Sequence, residues 1–350
     1  MTGLSTPPRW FVSSPIVNEL LRWARSQGLD DTTFLEASGI SAEQLQSQAS
    51  KLDAVQVEKG ICMALTQIDD PLVGLHLSPK LNITALGVIG FIAQTSNTLG
   101  DLINSVIRFG SLAGDVGVPA LRHEPGTVTW TWDCKFQDPV MIRQATECIL
   151  GCWAGLLRQR KQSRTSILLG VRFKHDLPAP DLEKEYQRFF GCPVYFNQPE
   201  SGLVLPSRNL SDAMGLADPN LHQMLAMHAE QQLQAQQHNE SLADKVRAQL
   251  HAVLAQNMTP VRDDIAEMLG MSGRTLHRKL EESGSSFREL MDEVRLVIAR
   301  AALREQQHTI SQLGQQLGFQ ESQSFIRWFK QQQGMTPGEF RLSQEGFQPS

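Results

Sequence analysis

The chain of 350 residues is poor in cysteine and tyrosine and has no long apolar stretch. Its five cysteines, Cys62, Cys134, Cys148, Cys152 and Cys192, are scattered and odd in number, which excludes a disulfide scaffold and points to reduced thiols. The longest apolar run, Ile83 to Ala93, covers 11 residues, too short to cross a bilayer as a helix. No basic segment leads into an apolar one near Met1, so no signal peptide is expected and the sequence reads as cytoplasmic. A G-x-S-x-G elbow, a P-loop and an H-E-x-x-H pair are missing, so an enzyme is not expected, and neither is a metal or a cofactor.

Positive charge is also lacking. The chain carries 32 Lys+Arg against 37 Asp+Glu, a net −5. From Ser241 to Ser350 there are 13 basic and 13 acidic residues, leaving 19 basic and 24 acidic before Ser241. The C-terminal part therefore cannot hold nucleic acid by bulk charge; any such binding must come from how its charges are arranged. With 41% hydrophobic and 20% charged residues, the composition is globular and the length suits two domains.

Residues 10–215 read as an α+β domain of helices with a small mixed sheet. Short amphipathic helices run from Pro15 to about Phe109, punctuated by glycine and proline. A hairpin follows, Ala120–Glu124 and Thr127–Cys134 around Pro125-Gly126. In its second strand Val128, Trp130 and Trp132 alternate with Thr127, Thr129 and Thr131. Further strands are expected over 167–173, 193–196 and 202–205, with helices over 139–160 and 181–190. Residues 216–240 read as a Gln-rich connecting helix and linker, with Asp218 and Pro219 as N-cap and first helical residue. Leu221, Leu225, His228 and Leu233 keep no clean heptad on it, though a dimer contact remains open. Ser241 can cap the next helix.

Residues 241–345 contain an internal repeat. Ile265-Ala266-Glu267-Met268-Leu269-Gly270-Met271 matches Leu313-Gly314-Gln315-Gln316-Leu317-Gly318-Phe319 at an offset of 48, and Leu276-x-Arg278-x-Leu280 matches Phe325-x-Arg327-x-Phe329 at 49. A short helix, a glycine that supplies positive φ, then a capped second helix is helix-turn-helix grammar. Two such units, about 261–282 and 310–332, are joined by a helix over 286–304 with Leu290, Val294, Val297, Ile298 and Ala301 on one side. Its length, roughly 27 Å, sets two recognition helices about one DNA turn apart. This predicts an all-α double helix-turn-helix domain reading two adjacent major grooves of double-stranded DNA.

The tail Gly318-Phe319-x4-Ser324-Phe325-x-Arg327-x-Phe329-Lys330-x3-Gly334-x-Thr336-Pro337-x3-Arg341 resembles the signature of the AraC/XylS family of bacterial transcription regulators. Gln320 and Gly314 depart from it, Gly314 at a cost of about 1 kcal/mol relative to Ala unless close packing needs it. More loosely, Gly28-Leu29, Ala37-Ser38-Gly39-Ile40, Thr98-Leu99, Val171-Arg172-Phe173 and Tyr186-x2-Phe189-Phe190-Gly191-Cys192-Pro193-Val194 resemble the arabinose-binding-type sensor domain of the branch that includes the ornithine-utilisation regulators. The resemblance implies a sequence-specific regulator, an activator rather than a repressor, controlled by a small organic effector such as an amino acid or carboxylate. It also implies a homodimer working with RNA polymerase. A ligand-independent regulator, whose first domain only dimerises or binds a protein, is the alternative.

By that resemblance Arg274, His277 and Arg278 face bases in the first recognition helix, and Ser322, Gln323 and Arg327 in the second. Arginine suits guanine O6/N7 and glutamine adenine N6/N7. Thr275, Lys279, Lys330 and Arg341 read as phosphate contacts, Arg341 equally as one side of a structural salt bridge. Leu276, Leu280, Phe319, Phe325, Trp328 and Phe329 are core by spacing. In the sensor domain Trp130 and Trp132 line either a ligand cavity or the sheet core, and Arg143, Arg172 and His175 are candidates for holding an anionic effector. Cys148 and Cys152, one helical turn apart, have no partner at zinc spacing and read as small buried residues.

Overall fold

A computed structural model of the chain describes residues 10–47, 50–160, 167–214, 218–238, 241–255, 258–305 and 309–345. The chain divides into two compact units, Met1–Gln237 and His238–Ser350. Asn239 and Glu240, where the sequence reading sets the end of the linker, lie outside the described residues.

The first unit opens with β1 (Phe11–Ser13), α1 (Ser14–Ser26), α2 (Thr32–Ser38), α3 (Ala42–Gln46), β2 (Lys51–Asp53) and α4 (Ala54–Leu65). β1 and β2 pair antiparallel. Val17, Leu21 and Ala24 recur at helical spacing on α1, and the first two bury with Phe34, Leu52 and Val57 in a core of their own. Three helices follow, α5 (Val73–Leu77), α6 (Val88–Thr95) and α7 (Leu99–Phe109). Thr98 starts α7 through a reciprocal capping box with Asp101.

The hairpin of β3 (Gly117–Glu124) and β4 (Thr127–Cys134) comes next, then α8 (Pro139–Arg160), β5 (Gly170–Arg172), α9 (Glu183–Phe190), β6 (Val194–Tyr195), β7 (Gly202–Pro206) and α10 (Pro219–His238). The sheet order is β3-β4-β7-β5-β6, antiparallel except for β5 and β6. The strand expected over 167–173 is confined to Gly170–Arg172, and Phe173 N donates instead to Tyr195 O at 2.8 Å. Trp130 and Trp132 face the main core, where Trp130 stacks on Trp153 of α8 with ring centres 3.8 Å apart. On the opposite face of β4, Thr129 and Thr131 are buried too. On α10 the Asp218 carboxylate accepts from Leu221 N, and Leu225, Ala229 and Leu233 pack with Ile89, Ile92 and Phe109 of α6 and α7.

The second unit is helical: α11 (Leu242–Ala255), α12 (Arg262–Met268), α13 (Gly273–Glu282), α14 (Phe287–Glu305), α15 (Ile310–Gln316), α16 (Ser322–Gln333) and α17 (Pro337–Glu345). Two cores form along α14. Leu290, Met291 and Val294 bury with α11, α12 and α13, while Ala299 and Leu303 bury with α15, α16 and Phe340 of α17. Ile298 packs on both.

Candidate nucleic-acid interface

In the first helix-turn-helix, Gly270 turns the chain after α12 at φ +70°, and the Ser272 hydroxyl accepts from Thr275 N to start α13. Leu276 and Leu280 bury one side of α13; Arg274, His277, Arg278 and Lys279 stand exposed elsewhere on it. Arg274 makes no hydrogen bond or ion pair among the described residues. Arg278 pairs with Glu282 at 2.6 Å and His277 with Glu281 at 3.2 Å, both one turn ahead on the same helix. Such exposed pairs hold little, so incoming base edges or phosphates can displace the carboxylates. Thr275 is half-buried, its hydroxyl 2.9 Å from that of Ser272.

The second unit repeats the plan. Gly318 has φ +78°, and Phe325 and Phe329 are fully buried while Gln323, Arg327 and Lys330 form an exposed stripe along α16. Ser322 is half-buried at the start of α16. A methyl on Gly314 would stand 3.2 Å from Phe325 Cβ, so glycine lets α15 and α16 approach closely. Phe319 and Trp328, expected in the core, are only partly buried. They border a cleft of about 510 Å³ between α14 and α16, together with Arg288, Asp292, Arg295 and Arg327. Arg295 Nε donates to Leu317 O at 2.8 Å and its guanidinium lies over the Phe319 ring. Arg288 was not marked by the sequence reading, although a cation in the first turn of a helix opposes the helix dipole and was a signal within reach.

In the first unit the five residues read as effector contacts do not all converge; only Arg143 and His175 meet, at Glu147. Trp130 and Trp132 are core. Arg172 alternates with the buried Val171 and Phe173 and so lies on the other side of β5, where it pairs with Glu124 at 3.2 Å and reaches Thr129. Arg143, on α8, donates to Pro71 O at 2.8 Å and to Glu147 at 3.3 Å. Glu147 is fully buried, accepts the Tyr186 hydroxyl proton and lies 3.5 Å from His175 Nε2; its second oxygen has no partner among the described residues. Burial pushes the Glu147 carboxyl up to about 7, with Arg143 and Tyr186 pulling against it. Burial likewise lowers His175 to about 4. His175 Nδ1 donates to Asp176 O, and its Nε2 faces the Glu147 oxygen at 3.5 Å with no hydrogen bond between them. The sequence marks Tyr186 only as part of the family resemblance, and nothing in the local pattern of Glu147 distinguishes it. Near the end of α8, Arg158 donates to Phe189 O and lies over that ring. Arg341 is half-buried.

Residues 28–214 match the model for the arabinose-binding N-terminal domain of AraC transcription regulators, and residues 265–343 match a helix-turn-helix domain model. The chain is 26% identical to an ornithine utilization regulator of Pseudomonas aeruginosa, over 92% of this chain and 94% of that one. It is also 26% identical to the transcriptional regulator VqsM of the same organism, over 77% of this chain and 83% of that one. A crystal structure of the transcriptional regulator CdpR from Pseudomonas aeruginosa aligns with a TM-score of 0.44 at 21% identity, covering 92% of this chain and 98% of that chain.

Proposed function

Because the chain belongs to the AraC family of transcription regulators, in the branch with an arabinose-binding-type N-terminal domain, we propose that it is an effector-controlled activator that grips two successive major grooves. It is a DNA-binding transcription regulator and not an enzyme. The observation that carries the reading is the pair of in-phase helix-turn-helix units, each presenting an exposed polar face on its second helix. Arg274, His277 and Arg278 read bases in one groove, and Ser322, Gln323 and Arg327 in the next. Thr275, Lys279, Lys330 and Arg341 hold phosphates.

The effector is a small organic molecule, an amino acid or carboxylate, recognised near Arg143 with Glu147, His175 and Tyr186 around it. Leu221, Met224 and Met227 stand exposed on α10 while Leu225 and Ala229 face inward, which supports α10 as the contact of a homodimer that recruits RNA polymerase. Selection of random duplexes by the full-length chain tests the DNA reading: two conserved boxes with centres about 10 base pairs apart are expected. A selection that returns no boxes, or a single one, overturns it.

One observation favours a ligand-independent regulator instead, for Trp130 takes the core position of its two readings, stacking on Trp153 rather than lining a cavity. Melting of the full chain against amino acids and organic acids separates the two. Binding at one hundred times Kd adds about 2.7 kcal/mol, whereas flat melting across the panel supports ligand independence.

A further inference from the structure

The cleft between α14 and α16 is flanked by groups of two kinds. Arg295 is committed to Leu317 O and to the Phe319 face, and the Asp292 carboxylate is engaged by the Trp328 indole N–H at 2.8 Å. Arg288 and Arg327, by contrast, are exposed and make no hydrogen bond or ion pair among the described residues. Ser324 and Gln331 add neutral donors to the same wall. Arg288 sits on the second residue of α14, where the helix dipole disfavours a cation, so its position gains nothing from its own helix. At the mouth of α16 the N-cap Glu321 makes no side-chain bond to the helix, and the first turn contains no acid. Its leading N–H groups therefore keep their partial positive charge.

We propose that this cleft seats a backbone phosphate of the duplex read by α16, and that Arg288, on the helix between the two motifs, is a further DNA contact. The inference rests on the DNA-binding reading above. The free guanidinium of Arg288 beside the recognition helix, with the Ser324 hydroxyl and Gln331 amide on the same wall, matches the chemistry of phosphate positioning, while Arg327 at the rim reads a base. Asp292 does not oppose the anion as strongly as its charge suggests, because the indole proton is already directed at it. Arg288 thus makes the joining helix a part of the grip as well as a spacer.

The test is a salt series of binding constants for the full-length chain on its selected duplex and on a scrambled one, comparing the unmodified protein with Arg288→Ala and Arg288→Lys. Losing one phosphate contact lowers the salt exponent by about 0.9 and weakens binding about fivefold near 0.15 M salt. The loss is expected on both duplexes alike, with Arg288→Lys retaining most of the exponent. Unchanged melting of Arg288→Ala excludes a folding defect, as Arg288 has no partner to lose. An unchanged exponent, or a loss confined to one base position, overturns the proposal while the unmodified chain still binds. Failure of the unmodified chain to bind any duplex overturns the DNA reading with it. A parallel melt with benzoate covers the other occupant: Arg288-dependent stabilisation by benzoate with no change in exponent assigns the cleft to small carboxylates and overturns the phosphate seat.

Discussion

Trp328 Nε1 donates to Asp292 Oδ1 across 2.8 Å, which ties the second recognition helix to the helix that joins the two motifs. Both residues are half-buried, so the bond is partly shielded from water. Trp328→Phe keeps an aromatic ring against Phe319 and Phe325 but leaves the carboxylate without its donor. A loss of about 1–3 kcal/mol follows from removing one hydrogen bond to a charged group. A urea titration followed by helical circular dichroism measures it, and an unchanged midpoint would sink the assignment.

Arg274 and Lys330 are expected to fail differently. Arg274→Ala should cost about 1–3 kcal/mol on the preferred duplex and relax one base position. Lys330→Ala should weaken every sequence alike and lower the salt exponent by about 1. Binding profiles over single-base variants of the site decide; identical profiles for both variants would remove the division between reading and positioning.

The two turn glycines separate backbone strain from crowding. At Gly270 an added Cβ has nothing within 4 Å, so Gly270→Ala pays only for its left-handed φ of +70°, about 1–2 kcal/mol. At Gly318, φ +78°, the same atom also meets Thr259 at 3.1 Å. Gly318→Ala is therefore expected to be the more destabilising of the pair. Thermal melting of the two variants checks the order, and equal shifts would contradict it.

Glu147 and His175 give the first unit two opposed pH slopes. The Glu147 carboxyl titrates near 7 when folded and near 4.5 otherwise, so the folded state holds its proton across that window and stability falls as pH rises through it. The integrated effect is about 3 kcal/mol. His175 titrates near 4 when folded and 6.5 otherwise, so the unfolded state binds the extra proton and stability falls as pH drops from 6.5 to 4. Each masks the other in the parent chain. Glu147→Gln should expose the histidine slope, with stability rising from pH 4 to 6.5. His175→Asn should expose the carboxyl slope, with stability falling from 4.5 to 7. Urea midpoints across pH test both, and variants with flat profiles would show that the pair is solvated.

The second unit was legible in the sequence because its signals are local. Ser272, Gly270, Gly318 and the Leu276/Leu280 and Phe325/Phe329 pairs each act within one helix or turn, where cap chemistry and 3.6-residue periodicity leave little choice. The polar cluster of the first unit was not legible. Arg143 and Glu147 come from α8, His175 from the segment after β5 and Tyr186 from α9, and only tertiary packing brings them together. Alternation along β5 did carry information: Val171 and Phe173 inward place Arg172 outward, away from Arg143. The burial of Thr129 and Thr131 was not legible, since their alternation with Val128, Trp130 and Trp132 shows only which residues share a face.

The two cores along α14 meet at Ile298. Each reading head thus owns its core, its turn glycine and its recognition surface, and the heads are tied by the helix itself, by Asp292 and Arg295 ahead of Ile298, which bond Trp328 and Leu317 behind it, and by Thr259 against Gly318. A graft that exchanges everything after Ile298 with the matching piece of a relative would cut between the cores rather than through one. Half of the operator preference is then expected to travel with the graft while the other half stays, so new pairings of half-sites can arise by recombination at one position without either core being rebuilt.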